Sequence, residues 1–285
     1  MLHEAMRDTL PAEPFFLKTS TGKRFCLYHA SASGRKCPGV FIYVHPFGDE
    51  MNKSRRMAAL QARAFAEAGF GVLQIDLYGC GDSDGEFGDA RWNIWKADLA
   101  SAYGWIRNRA PVPVSLWGLR LGALLALDFA SDWEKPVDNV ILWQPVLDGA
   151  SFLNQFLRLR LASEMFSNAT GPKGVGTAAL RERLANGETL EVAGYELSPD
   201  LAAAIERFKA VDLAIQKCTV HWFEIIAEPG RSISHAGMNV LSRWKLDGLN
   251  ANVHLVPCAP FWATQEISEC AELISETSSV VVSLS

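Results

Sequence analysis

The chain has 285 residues, of which 49% are apolar and 21% charged; that is length enough for a substantial core and a composition that excludes disordered and fibrous classes. Lys and Arg number 27 against 32 Asp and Glu, and the resulting formal charge of -5 offers no basic field to draw in nucleic acid or anionic lipid. No apolar stretch is long enough to span a bilayer, and residues 1–10 show no basic segment leading into an apolar run, so a cytoplasmic protein without a membrane span is expected.

In chain order, β-rich runs at 14–19 and 24–30 flank Ser20-Thr21-Gly22-Lys23, a hairpin-like turn. Further runs at 40–45, 72–77, 114–118, 140–146, 219–227 and 252–257 alternate with helical patterns at 54–68, 92–109, 121–130, 238–246 and 265–276. About eight strands, antiparallel at the start and then in βα units, imply a mostly parallel sheet with helices on both faces. The rhythm breaks at about 149–212. There a helical run with Phe152, Leu153, Phe156, Leu157 and Leu161 on one stripe precedes the glycine-rich 171–176 and a second helical stretch at 178–185. One domain covering 1–285 with a helical lid insertion is the expected organisation, and the last residues, SSVVVSLS, read as a loosely packed tail.

The six cysteines form no C-x-x-C pair and are read as reduced thiols; the six histidines show no H-E-x-x-H. No metal site and no cofactor is expected. Chemistry should concentrate on the loops at the carboxyl edge of the sheet. The first, after the strand at 40–45, runs His45-Pro46-Phe47-Gly48; Pro46 has no N–H, so Phe47 is the candidate oxyanion donor, with Leu121 as the second, while His45 either faces a ligand or shapes the turn. The loop after the next strand holds Gly79, Gly81 and Gly85, a spacing that suits a turn better than a dinucleotide site.

The third loop decides the reading. An apolar strand ends in Gly118-Leu119-Arg120-Leu121-Gly122 and opens a helix of small residues, the pattern of the α/β-hydrolase nucleophile elbow, in which small flanking residues permit a strained turn. Arg120 stands where the nucleophilic serine belongs, and a guanidinium that stays protonated is no nucleophile. The acid position falls at Glu228, while the loop expected to carry the histidine reads Cys258-Ala259-Pro260-Phe261-Trp262. His235 is the remaining candidate base. A buried guanidinium needs a partner; Glu228, with Asp148 as second choice, is expected to pair with Arg120, unless Arg120 presents its fork to an anionic ligand beside His45, Phe261 and Trp262.

Seven runs carry a family resemblance: DEMNKSRRM at 49–57, DLYGCGDS at 76–83, WGLRLGA at 117–123, WQP at 143–145, QFLRLR at 155–160, VAGYELS at 192–198 and PFW at 260–262. In these the chain resembles the exosortase A system-associated hydrolase 2 proteins. The resemblance implies an α/β-hydrolase fold, Arg in the elbow as part of the family pattern, and a role near PEP-CTERM protein sorting and exopolysaccharide production, with components of that machinery as partners. Two functions follow: a silent or remodelled hydrolase that binds an anionic or acylated ligand, or an esterase or thioesterase using residues outside the usual triad.

Overall fold

The computed structural model describes residues 11–32, 37–166, 176–213, 215 and 218–284. The glycine-rich run at 171–175 and residues 1–10 lie outside the described residues. Strands β1 (Glu13–Thr19), β2 (Gly22–His29), β3 (Val40–Val44), β4 (Gly71–Ile75), β5 (Val114–Leu119) and β6 (Asn139–Trp143) come before the insertion, with helices α1 (Asp49–Glu67), α2 (Trp92–Arg109) and α3 (Leu121–Asp132) between them. The insertion holds α4 (Gly149–Phe166), α5 (Thr177–Ala185), a small hairpin of β7 (Leu190–Val192) and β8 (Tyr195–Leu197), and α6 (Pro199–Arg207). The chain then completes the sheet with β9 (Thr219–Ile226), α7 (His235–Leu246), β10 (Asn250–Pro257) and α8 (Ala271–Val282).

The eight-stranded sheet has the order β1-β2-β4-β3-β5-β6-β9-β10. β1 and β2, and β2 and β4, pair antiparallel; the other pairs are parallel. The central strands explain the two-sided cover. In β3, Phe41 and Tyr43 face one core with Met57 and Phe65 of α1, while Ile42 and Val44 face the other with Leu99 and Ala102 of α2 and Leu124 of α3. Every residue of β3 and β5 is buried, as the period-2 geometry requires when helices lie on both sides.

Three boundaries differ from the sequence reading by five residues or more. α1 begins at Asp49, five residues before the expected start, because Gly48 (φ 56°) turns the chain and Asp49 and Glu50 occupy the first turn, where the helix dipole favours acids. The C-terminal residues read as a loose tail are helix: Leu273, Thr277 and Val281 recur at i, i+4 and are buried, and Thr277 Oγ1 accepts a hydrogen bond from Trp143 Nε1 at 3.0 Å. The β-branched run masked a helical period. The expected helix at 265–276 therefore begins only at Ala271.

β9 and β10 bring two histidines together. His221 Nδ1 lies 3.4 Å from His254 Nε2, and His254 stacks on Phe223 at 4.4 Å. Burial lowers both pKa values, and the His254 neighbour adds to the lowering of His221, which falls to about 4. The folded chain therefore binds fewer protons here than the unfolded chain. Stability from His221 is complete above pH 6.5 and is lost progressively as pH falls toward 4, at about 1.4 kcal/mol per pH unit and on the order of 3 kcal/mol in all. Thermal unfolding from pH 7 to 4.5 should show this loss, and His221→Gln should flatten it; an unchanged slope in the variant would remove His221 as its source.

Candidate functional site

β5 delivers the chain to Arg120, which has φ 56° and ψ -118° and caps α3. Such a conformation costs a non-glycine residue about 1–3 kcal/mol and persists only when its surroundings enforce it. Here the Arg120 N–H donates to Trp143 O at 3.0 Å, and its carbonyl accepts from Ala123 and Val146 N–H, each at 3.1 Å. The flanking glycines are required by space: a Cβ on Gly118 would lie 2.5 Å from Ala123 Cα, and one on Gly122 would lie 2.3 Å from the carbonyl oxygens of both Val44 and His45. The turn has the strained geometry of a nucleophile elbow with a guanidinium at its apex.

The partner of that guanidinium is Glu50, not Glu228 or Asp148. Arg120 Nε donates to Glu50 Oε1 at 3.3 Å, and the guanidinium carbon sits 5.3 Å from the centre of the Trp262 ring. Glu228 lies two residues past the end of β9, exposed, with its carbonyl accepting from Arg231 N–H at 3.4 Å. Asp148 Oδ1 accepts from Ser151 N–H at 2.6 Å at the start of α4. His235 is the exposed first residue of α7 and contacts Asn239. None of the three touches Arg120. The sequence reading leaves Glu50 in the loop after β3; the structure puts it on the first turn of α1, from which it reaches across to the elbow.

His45 is buried as a brace. Its Nε2 accepts from Leu77 N–H at 3.2 Å, so its Nδ1 carries the proton and donates to Pro46 O at 2.7 Å. Burial lowers its pKa, and the neutral ring ties the end of β3 to the end of β4. Phe261 is fully buried against Trp143. Trp262 alone of that pair reaches the cavity. Cys258 and Cys270, read as free thiols, are joined in a disulfide that closes the 258–270 loop carrying Trp262.

The amides of Phe47 and Leu121 find no acceptor among the described residues. Both residues line a void of about 10 Å³, near the lower limit for holding one water. The Phe47 ring is wedged edge-on against Phe152 and Phe156 of α4, with centroid distances of 5.6 and 4.9 Å. The larger space lies above the elbow: a cavity of about 400 Å³ with Glu50, Lys53 and Arg120 at its polar end and Phe152, Phe156, Leu159, Tyr195 and Trp262 as its walls. Tyr195 on β8 accepts a hydrogen bond from Asn52 Nδ2 at 3.3 Å, linking the hairpin to α1. Burial raises the Glu50 pKa, and Arg120 and Lys53 oppose it. Beneath, the buried Glu224 accepts from Trp222 Nε1 at 2.9 Å, and burial raises its pKa as well. Among the described residues, no cluster of His, Cys, Asp and Glu could hold a metal ion, and no helix is long and apolar enough to cross a membrane.

Residues 36–236 match the model of the serine aminopeptidase S33 family. The chain belongs to that family. Its fold is accordingly that of the α/β-hydrolases, and solved members of the superfamily superpose over nearly the whole length. Est1E from Butyrivibrio proteoclasticus, solved with ferulic acid bound, aligns with a TM-score of 0.67 at 14% identity, covering 94% of this chain and 96% of that one. A thermostable carboxyl esterase from Bacillus coagulans, in complex with glycerol, aligns at 0.64 and 14% identity over 96% and 98%. Mouse α/β hydrolase domain-containing protein 10 aligns at 0.60 and 16% identity over 96% and 100%. In sequence, human ABHD12B is 30% identical over 128 residues, which is 44% of this chain and 33% of that protein; the chain thus matches about a third of its relative's length. Within this serine-named family, the chain carries Arg120 in the elbow and Trp262 in the loop where the general base is expected.

Proposed function

We propose that this S33-family chain is a remodelled hydrolase that binds, without cleaving, an amphiphile with one anionic headgroup and an acyl chain. The observation that carries the reading is Arg120 at the elbow apex, facing a cavity of about 400 Å³ whose walls are aromatic and aliphatic. The guanidinium offers two Nη groups that make no hydrogen bond among the described residues, geometry suited to a carboxylate, sulfonate or phosphate. Phe152, Phe156 and Leu159 of the lid helix would cover the acyl chain. The resemblance to the exosortase A system-associated hydrolases supports a role near PEP-CTERM protein sorting and exopolysaccharide production, with an anionic or acylated metabolite as the ligand. Family membership favours the competing reading, ester or thioester hydrolysis through other residues.

Thermal shift separates the two. Decanesulfonate and decanoate should raise the Tm, with about 2.7 kcal/mol of stabilisation at a hundredfold excess over Kd, while inorganic phosphate, lacking a chain, should do far less. Hydrolysis of p-nitrophenyl acetate and p-nitrophenyl decanoate should stay at the buffer rate. Turnover by the native protein that is lost in Glu50→Gln would replace binding with catalysis as the function.

A further inference from the structure

Glu50 has two oxygens and one hydrogen bond. Its Oε1 contact with Arg120 Nε, at 3.3 Å, is long beside the 2.7–2.9 Å of a strong charge-assisted pair, and Oε2 is buried without a partner. Beyond Arg120 and the N-terminus of α1, whose dipole favours an acid in the first turn, the surrounding elements do little to hold it ionised. On α1, Lys53 is engaged by Asp49 at 2.9 Å. Tyr195 on the hairpin is engaged by Asn52, and Glu224 on β9 adds a further acid near Arg120. α4 and the loop after β10 present only uncharged side chains, Phe152, Gln155 and Trp262 among them.

An anion entering the cavity competes for the same guanidinium, which lines it and whose two Nη groups make no hydrogen bond among the described residues. Two negative groups on one cation, one of them with an unpartnered buried oxygen, are mutually unfavourable. The group with the poorer hydrogen bonding and the greater burial is the one that gives up its charge. We infer, resting on the binding reading above, that a monoanionic headgroup docking on Arg120 displaces Glu50 from it and that Glu50 takes up one proton from solvent. The bookkeeping is closed: the carboxylate becomes a carboxylic acid, the buffer supplies the proton, and no covalent bond in protein or ligand changes. The site then works as a proton-linked receptor, releasing its ligand as pH rises.

Calorimetry with decanesulfonate tests this, because the sulfonate stays ionised throughout and any proton taken up must reside on the protein. Titrations in cationic buffer pairs of different ionisation enthalpy, Bis-Tris against imidazole from about pH 6 to 7 and triethanolamine against Tris from about pH 7.5 to 8.5, give the proton number from the difference in observed heats without adding a competing anion. Uptake should rise with pH toward about one proton per ligand, with affinity falling by up to about tenfold per pH unit. Glu50→Gln should bind with no uptake and a flat pH profile. Arg120-dependent binding by the native protein with constant affinity and no uptake across this range would overturn the inference while leaving the binding reading intact. So would a Glu50→Gln protein that keeps the native slope. Absence of sulfonate binding at every pH would remove the reading and the inference together. The native titration decides the matter even if Glu50→Gln does not fold.

Discussion

Asp98→Ala should destabilise the protein by about 3–5 kcal/mol, the usual cost of leaving half of a buried ion pair uncompensated, with a fall in Tm on the order of 10 °C. Arg24 and Asp98 are 0% and 1% exposed, with Arg24 Nε donating to Asp98 Oδ1 at 2.7 Å. Asp98 Oδ2 also accepts from Tyr78 N–H at 2.8 Å, and the Arg24 guanidinium lies 4.6 Å from the centre of the Tyr78 ring. Removing the carboxylate therefore strands a cation and an amide at once. The remaining guanidinium bonds, to the carbonyls of Thr21 and Lys23 and to the Thr21 hydroxyl, leave its charge without a counterion. The damage would spread toward the site, because Tyr78 starts the glycine-rich loop that leads to Phe87, whose ring packs on Phe47 and Tyr195. Replacing both partners with apolar residues, Arg24→Met with Asp98→Leu, should recover most of the loss, since desolvation of both charges is then avoided. Chemical denaturation of the three proteins measures it; a single variant as stable as the native chain would show the pair to be dispensable.

The sheet was legible because its central strands are buried on both sides and so read as continuous apolar runs such as Phe41-Ile42-Tyr43-Val44, and the elbow was legible because Gly118 and Gly122 are dictated by backbone contacts that admit no Cβ. Features that depend on tertiary partners were not. The run at 278–282 carries strand-forming valines, yet packing of Leu273, Thr277 and Val281 against Trp143 and α1 makes it the end of α8. The Cys258–Cys270 pair is separated by 12 in sequence and has no spacing signature. The hairpin of β7 and β8 is too short to show a period. Arg120 stands out in the sequence, but the expected partner, Glu228, is the acid position of a working triad, where an intact hydrolase would keep it. With Arg120 at the elbow and no histidine in 258–262, a triad gives no reason for the arginine's partner to lie at the acid position. Glu50 had a signal available: two acids directly after a glycine that can cap a helix, one turn from the oxyanion loop.

Arg120→Met should weaken decanesulfonate binding by about 10–100-fold, the worth of one hydrogen-bonded charge, about 1.5–3 kcal/mol. The substitution is conservative where it needs to be. Arg120 already bears the cost of φ 56° without glycine's freedom, so another unbranched side chain inherits the same backbone, and Met refills most of the space against Trp262. Glu50 loses its counterion in this variant and is left as a half-buried acid that can protonate or hydrate at its exposed side, which limits the loss of stability and keeps the measurement one of binding. Arg120→Ser poses the complementary question. It restores the hydroxyl to an elbow whose backbone is already strained in the right way, yet the loop after β10 offers Trp262 where a base is expected, and Phe47 and Leu121 border only about 10 Å³ of space. A serine without a base has no means of losing its proton, so p-nitrophenyl ester turnover should remain at background. Appreciable turnover by Arg120→Ser would mean that a base survives near the elbow and that the guanidinium alone silences the site. Background rates combined with lost anion affinity in Arg120→Met would instead mean that the pocket has been rebuilt around the arginine. Glu50 on the first turn of α1 and Trp262 on the loop after β10 already flank the guanidinium, which is the arrangement that a pocket rebuilt around Arg120 would require.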